Sequence, residues 1–197
     1  DEKGNEIDGD KIIALFAKHL IKFNKSKSKY PIVTTVMSNI GFENYILNKF
    51  KVNLKRSSVG DINVIKEMQK YNSLLGGEQS GHIILSDYSK TGDGILAALK
   101  VMEIITKLNK PASLIFSLYE NSPQIKINIP YKKISKNTVN YIKNINKKKL
   151  KNNNMRLLIR LSGTEPLIRI LVEGNDLIEV NKIAKNIEKN IRAKLGK

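Results

Sequence analysis

The chain has no cysteine and no tryptophan, and arginine is scarce, with five residues against thirty lysines. Without cysteine there is no disulfide framework and no thiolate for a metal or redox site. No run of about 18 apolar residues occurs, so no segment is expected to span a membrane. No secretory leader is visible, although the chain opens on Asp1 rather than Met, and the expected compartment is cytoplasmic. Acidic residues are also few, 18 against 35 basic ones, which leaves a formal net charge of +17. Such an excess invites a nucleic-acid reading. The type of cation argues against it. Nucleic-acid readers favour arginine forks and stacked aromatics, and aromatics make up only 6% of this chain. Lys, Asn and Ile fill 80 of the 197 positions, the pattern an AT-rich coding sequence produces. Neither a specific nucleic-acid partner nor a membrane is expected. Weak, salt-sensitive attraction to polyanions is.

What is present is a globular composition, 41% apolar over 197 residues, enough for one or two domains with a substantial core. Residues 1–8 read as a turn with strand flanks, and Asp10 as the cap of a helix with Ile12, Ile13, Phe16, Leu20 and Phe23 on one stripe. A polar break follows at 24–30, then a buried strand from Ile32 to Met37, a helix at Gly41–Phe50, a strand at Lys51–Arg56 and a helix at Asp61–Lys70. Leu74-Leu75 and His82–Leu85 bracket a glycine-rich loop, and Asp93 is the expected N-cap of a helix over Ile95–Leu108. This alternation predicts a parallel α/β layer across roughly 30–110. Beyond Pro111 the pattern becomes strand (Gln124–Ile129), helix (Thr138–Leu150), hairpin around 162–166, and a long helix at Asp176–Leu195 with Ile178, Ile183, Ile187 and Ile191 inward. The Lys/Asn stretch at 143–154 reads as a solvated helix end and loop.

Two clusters carry chemistry. The first is Arg160-Leu161-Ser162-Gly163-Thr164-Glu165-Pro166-Leu167-Ile168-Arg169. If Met155–Leu161 pairs with Leu167–Val172, Arg160 and Arg169 lie opposite one another. Two of five arginines then flank one turn, where guanidinium forks, backbone N–H groups and the hydroxyls of Ser162 and Thr164 could grip a phosphate. An ordinary polar hairpin remains open, because Ser, Gly, Thr and Pro are common in turns. The second is Gly76-Gly77-Glu78-Gln79-Ser80-Gly81-His82, a loop that presents a carboxylate, a hydroxyl and an imidazole. Glu78 and Ser80 suit sugar hydroxyls or an amine, and His82 suits proton or hydrogen-bond exchange. Taken alone, a histidine at a strand start is more often structural.

The segments DEKGNEIDGDKI, VTTVMSNIGFE, KVNLKRSSVGD, GGEQSGHIILSD, TGDGILAALKV and RLSGTEPLIRILVEG together resemble the α-D-phosphohexomutase family, in family order and over almost the whole chain. The resemblance implies the C-terminal portion of a four-domain enzyme: residues 1–27 as the end of domain II, 28–120 as the α/β/α domain III, and 121–197 as domain IV. The implied fold class is α/β: a remnant of one α/β domain, one complete α/β/α domain with a mixed sheet, then a C-terminal α+β, TBP-like domain. The implied activity interconverts hexose 6- and 1-phosphates through a phosphoserine and a bisphosphorylated sugar. Gln79 points to the glucosamine phosphate branch; glucose or mannose phosphates are the alternative, and a decayed, non-catalytic phosphosugar-binding remnant is another. Glu78 and Ser80 would hold sugar hydroxyls, and His82 would stand beside the sugar as the catalytic candidate. Arg160, Ser162, Gly163, Thr164 and Arg169 would clamp the unreactive phosphate.

Mg²⁺ would be held by an Asp-Gly-Asp-Gly-Asp-Arg loop that has no counterpart here, nor has the serine loop, so no metal ligand is expected and the segment alone is expected to be inactive. Asp8 and Asp10 match a helix-start segment rather than that loop. Glucosamine or glucose 1,6-bisphosphate is the implied activator. The missing N-terminal domains, a phosphosugar and a second copy in a homodimer are the implied partners. The chain departs from the family at Ile62 and Asn63, where Arg and an aromatic are usual, unless Lys55 or Lys66 supplies the charge, and at Leu161.

Overall fold

In the computed structural model, residues 1–23, 30–147, 155–163 and 165–196 are described. Residues 24–29 of the expected polar break at 24–30, the stretch 148–154, Thr164 and Lys197 lie outside them. The chain divides into two compact units, Asp1–Asn121 and Ser122–Lys197.

The first unit is built on a four-stranded sheet of β1 (Ile32–Thr35), β2 (Leu54–Ser57), β3 (Leu75–Gly77) and β4 (Ile83–Leu85), in the order β2-β1-β3-β4. β1 runs parallel to β2 and β3, and β4 antiparallel to β3, which makes the sheet mixed. All four residues of β1 are buried, the pattern of a strand covered on both faces. Ile32, Leu75, Ile83 and Leu85 share a core with α1 (Gly9–Phe23), α2 (Ile40–Phe50), α4 (Gly94–Leu108) and α5 (Ala112–Ile115). Val33 and Ile84 turn to the other face and pack with Val64 and Met68 of α3 (Asp61–Tyr71). Asn39 caps α2 by accepting from the Gly41 N–H at 2.8 Å. Asp93 caps α4 as expected, accepting from the Leu96 N–H at 2.9 Å.

Three expectations change in this unit. The strand flanks of residues 1–8 do not form among the described residues. Instead Asp1 Oδ1 accepts from the N–H groups of Lys3 (3.0 Å) and Asn5 (2.8 Å), which closes a local turn. The cap of α1 is Asp8, whose Oδ1 accepts from the Lys11 N–H at 3.0 Å, while Asp10 lies inside the helix and fully buried. And α1 is buried on more than a stripe, with Ile13, Ala14, Leu15, Phe16 and Ala17 at 0–4% exposure. That burial places α1 in the core of the first compact unit.

The second unit is an antiparallel sheet of β5 (Gln124–Pro130), β7 (Leu167–Glu173) and β6 (Arg156–Leu161), in the order β5-β7-β6. Ile125, Ile127 and Ile129 alternate with polar residues and turn inward, where α6 (Lys136–Lys147) and α7 (Leu177–Lys194) complete the core. Asp176 caps α7, accepting from the Ile178 N–H at 2.8 Å. The inward residues of α7 are Val180, Ala184, Ile187 and Ile191. Ile178, expected inward, is 81% exposed. Two residues ahead of Val180, it falls roughly 200° around the helix from the buried stripe.

Candidate functional site

Because β1, β2 and β3 are parallel, their C-terminal ends at Thr35, Ser57 and Gly77 lie along one edge of the sheet. Open α/β sheets place their binding crevices at this edge. The glycine-rich loop leaves it after Gly77. The Glu78 N–H donates to the His82 carbonyl at 2.9 Å and the Gly81 N–H to the Glu78 carbonyl at 3.0 Å. This closes a tight turn with Gly81 at φ +100°, a value L side chains rarely adopt. Ser80 is exposed at its tip. Glu78 Oε2 accepts from the Gly60 N–H at 3.3 Å, just ahead of α3, so the carboxylate sits at a helix N-terminus. His82 follows, half-buried, with Nε2 at 3.9 Å from Asp61 Oδ2 and without a hydrogen-bond partner. Gly92 lies flat against its ring, since a Cβ there would come within 2.2 Å of Nε2. Glu78, Ser80 and His82 are therefore brought together as expected.

Around this loop the buried polar residues serve architecture. Arg56 pairs with Glu43 at 2.8 Å and donates to the carbonyls of Thr35 (3.3 Å) and Ser38 (2.6 Å), tying together the connections after β1 and β2. At the departure from the family pattern, Ile62 is 60% exposed and Asn63 Nδ2 donates to the Val59 carbonyl at 2.9 Å. Lys55 does not replace the expected cation. Its ammonium lies over the Tyr71 ring at 5.2 Å, at the far end of α3 from Asp61. Lys66 is exposed in the second turn of α3.

In the second unit, Arg160 and Arg169 are register partners across β6 and β7, as the sequence implied. Directly opposed residues of an antiparallel pair share a face. The Nε atoms of both are buried without a hydrogen-bond partner. Arg169 Nη2 meets Glu165 Oε2 at 2.8 Å. Burial first, and then the neighbouring Arg169 charge, lowers the pKa of Arg160. The hairpin is closed by the Ser162 N–H donating to the Leu167 carbonyl at 2.8 Å, with Gly163 exposed at its tip. Two cations on adjacent strands with donors unspent form a site that an oxyanion would relieve. Thr164, the fifth member of the expected clamp, lies outside the described residues.

Among the described residues, no group of three or more His, Cys, Asp or Glu could hold a metal ion. No described helix is long and apolar enough to cross a membrane. A cleft of about 500 Å³ opens between α1, β4 and α4, lined by Phe16, Leu20, Leu85, Tyr88, Lys100 and Ile104, but none of the candidate residues lines it. Sequence reasoning missed Asp61 and Gly92, which flank His82, and Asp8 and Gly9, which back the turn. Gly92 stands just before the Asp93 cap in Thr-Gly-Asp-Gly, the one local signal that could have marked it.

Comparison with known proteins identifies the family. The profile of phosphoglucomutase/phosphomannomutase alpha/beta/alpha domain III matches residues 8–122, and that of the C-terminal domain matches 121–190. The phosphoglucosamine mutase of Fusobacterium nucleatum is 44% identical over 208 residues, covering 100% of this chain and 44% of that enzyme. The chain thus spans less than half the length of this curated relative. The structure of Aspergillus fumigatus N-acetylphosphoglucosamine mutase in complex with GlcNAc-6P and magnesium superposes with TM-score 0.77 at 18% identity, over 98% of this chain and 46% of that one. The same fungal enzyme in complex with glucose 1,6-bisphosphate gives 0.74 at 18% identity, over 95% of this chain and 44% of that one. At that identity the likeness concerns the fold. The chain belongs to the phosphoglucomutase/phosphomannomutase family and comprises its alpha/beta/alpha domain III and its C-terminal domain.

Proposed function

We propose that the chain is the C-terminal part of a phosphoglucosamine mutase, which interconverts glucosamine 6-phosphate and glucosamine 1-phosphate in the cytoplasm. The observation that carries this reading is the facing pair Arg160–Arg169, with both Nε donors buried and unspent. With Ser162, Gly163 and Thr164, that pair clamps the phosphate that is not reacting. Glu78 and Ser80 hold sugar hydroxyls from the turn after β3, and His82 stands beside the sugar as a proton or hydrogen-bond partner. The clamp must accept either phosphate of the sugar, and two guanidiniums in a shallow hairpin recognise the group without regard to which carbon bears it.

The phosphoserine, the Mg²⁺ loop and any dimer contact are assigned to the part of the longer enzyme that this chain does not match, with a hexose 1,6-bisphosphate as activator. The chain supplies binding and orientation, the entropic share of the barrier. Titrating inorganic phosphate and glucosamine 6-phosphate into the 197-residue chain, followed by NMR, tests this directly. Arg160→Ala or Arg169→Ala should each weaken both ligands at least tenfold, about the loss of one charged hydrogen bond. Undiminished binding in both variants overturns the clamp. Turnover by this chain alone, with glucose 1,6-bisphosphate and Mg²⁺, would refute the division of labour.

The exposed Ile62 favours a second reading, a phosphosugar-binding remnant that has lost catalysis. Restoring Arg at position 62 in an intact enzyme should raise activity markedly on that reading. Relative rates on glucosamine, glucose and mannose phosphates separate the mutase from its sister activities.

A further inference from the structure

Four consecutive residues at the start of α1 grasp three different parts of the first unit. Asp8 caps the helix with Oδ1 and accepts from the Gln79 side-chain amide with Oδ2 at 3.4 Å. The Gly9 N–H donates to the Gln79 carbonyl at 2.9 Å. Gly9 is also pressed so closely against the turn that a Cβ there would lie 2.0 Å from the Glu78 carbonyl oxygen and 2.9 Å from the Gly81 nitrogen. Asp10, buried, accepts from the Asn39 N–H at 2.8 Å, at the residue that caps α2. The Lys11 ammonium donates to the Tyr119 carbonyl and sits 3.6 Å from the centre of the Tyr119 ring. Tyr119 is two residues ahead of the point where the first unit ends.

These two carboxylates look like metal ligands in the sequence, but each is committed to a hydrogen bond in a different direction. Asp8 faces the Glu78–Gly81 turn and Asp10 faces the start of α2. The turn in question carries the two residues assigned to the sugar hydroxyls. Its backbone has no room to move toward α1, because Gly9 already stands at contact distance. Within the turn, the Gln79 side chain is tethered by Asp8.

We propose that Asp8-Gly9 is a positioning element for the sugar-binding turn, held in place by the anchoring of Asp10 on the start of α2 and of Lys11 on Tyr119. It fixes the height of Glu78 and Ser80 above the sheet edge, and with it the discrimination between a hexose phosphate and phosphate alone. The proposal rests on the sugar and clamp assignments above. It gives these residues no contact with substrate: they act through Glu78 and Gln79.

The test compares two ligands on the 197-residue chain. In Gly9→Ala, the methyl group must push the turn away from α1. Affinity for glucosamine 6-phosphate should fall about tenfold toward that for inorganic phosphate, while inorganic phosphate binding stays at the wild-type level. NMR shifts of Glu78–Gly81 amides should report the displacement. Asp8→Ala, which adds no bulk, should reduce the same ratio of affinities, and Asp8→Asn, which retains a cap and an acceptor, should restore it. An unchanged ratio in Gly9→Ala and Asp8→Ala overturns the proposal, and so does a wild-type chain that binds the two ligands equally. Loss of inorganic phosphate binding in Arg169→Ala bears on the clamp alone, so failure of one reading is separable from failure of the other.

Discussion

Asp10 shows what a single buried carboxylate costs and holds. Burial pushes its pKa up to about 6, against the lowering effect of hydrogen bonds from Asn39 and Ser38. In the unfolded chain the same group titrates near the ordinary value of about 3.9. The folded protein therefore binds this proton more tightly than the unfolded chain. The resulting stabilisation is fully present below about pH 4, fades as pH rises through about 6, and is gone above it. Denaturant midpoints measured from pH 4 to pH 7 should show the wild type losing on the order of 2–3 kcal/mol relative to Asp10→Asn. A parallel pair of curves would contradict the assignment. At Gly92, an added methyl meets first the movable His82 ring. Gly92→Ala should leave the melting temperature within a few degrees of wild type, while the His82 ring resonances shift. A large loss of stability with unmoved ring resonances would mean that the ring is held where it stands.

At the scale of elements, β6 and β7 repay attention because the hairpin was legible in detail. The apolar runs either side of Ser162–Pro166 set the strand ends, and strand pairing with a short loop left one register that puts Arg160 opposite Arg169. The other end of the same hairpin was not legible. There Glu173, fully buried, meets the Arg156 Nε and the Gln124 amide across three strands. Nothing local in the sequence distinguishes a buried Glu at a strand end from an exposed one; the pairing of distant strands decides it. Glu173→Ala would remove the buried carboxylate that both Arg156 and Gln124 reach and should cost about 3 kcal/mol. Hydrogen exchange should show the loss in the amides of β5, β6 and β7. Undiminished protection there would show that the pair adds no net stability.

For the molecule as a whole, two separate cores imply two separately specified folds, one around Ile13, Phe42 and Leu75 and one around Ile168, Ile170 and Ile191. A fragment spanning Ser122–Lys197, the second compact unit, should fold alone. Its circular dichroism should melt cooperatively, and a gradual, non-cooperative melt would refute the expectation. The charge of +17 acts at this scale too. Retention on heparin should disappear steeply as salt rises, because surface lysines attract polyanions without shaping a site for them. Retention that persists at high salt would point to a specific nucleic-acid surface.

From α1 onward, and apart from the short α5, the order of strands and helices followed from periodicity, because hydrophobic spacing is a local property. So did the two clusters of functional residues, because a turn concentrates Gly, Ser and Glu within a few positions. The sequence by itself also determined the family, through motifs that keep their order along nearly the whole chain. What it left undetermined were matters of distance between segments far apart in the chain. Tertiary packing turned α1 from an amphipathic stripe into a core helix. It also brought Gly92 against His82, and Asp8 and Gly9 against a turn about 70 residues further on. Burial and contact of this kind depend on which surfaces the folded chain brings together, and no local pattern records that.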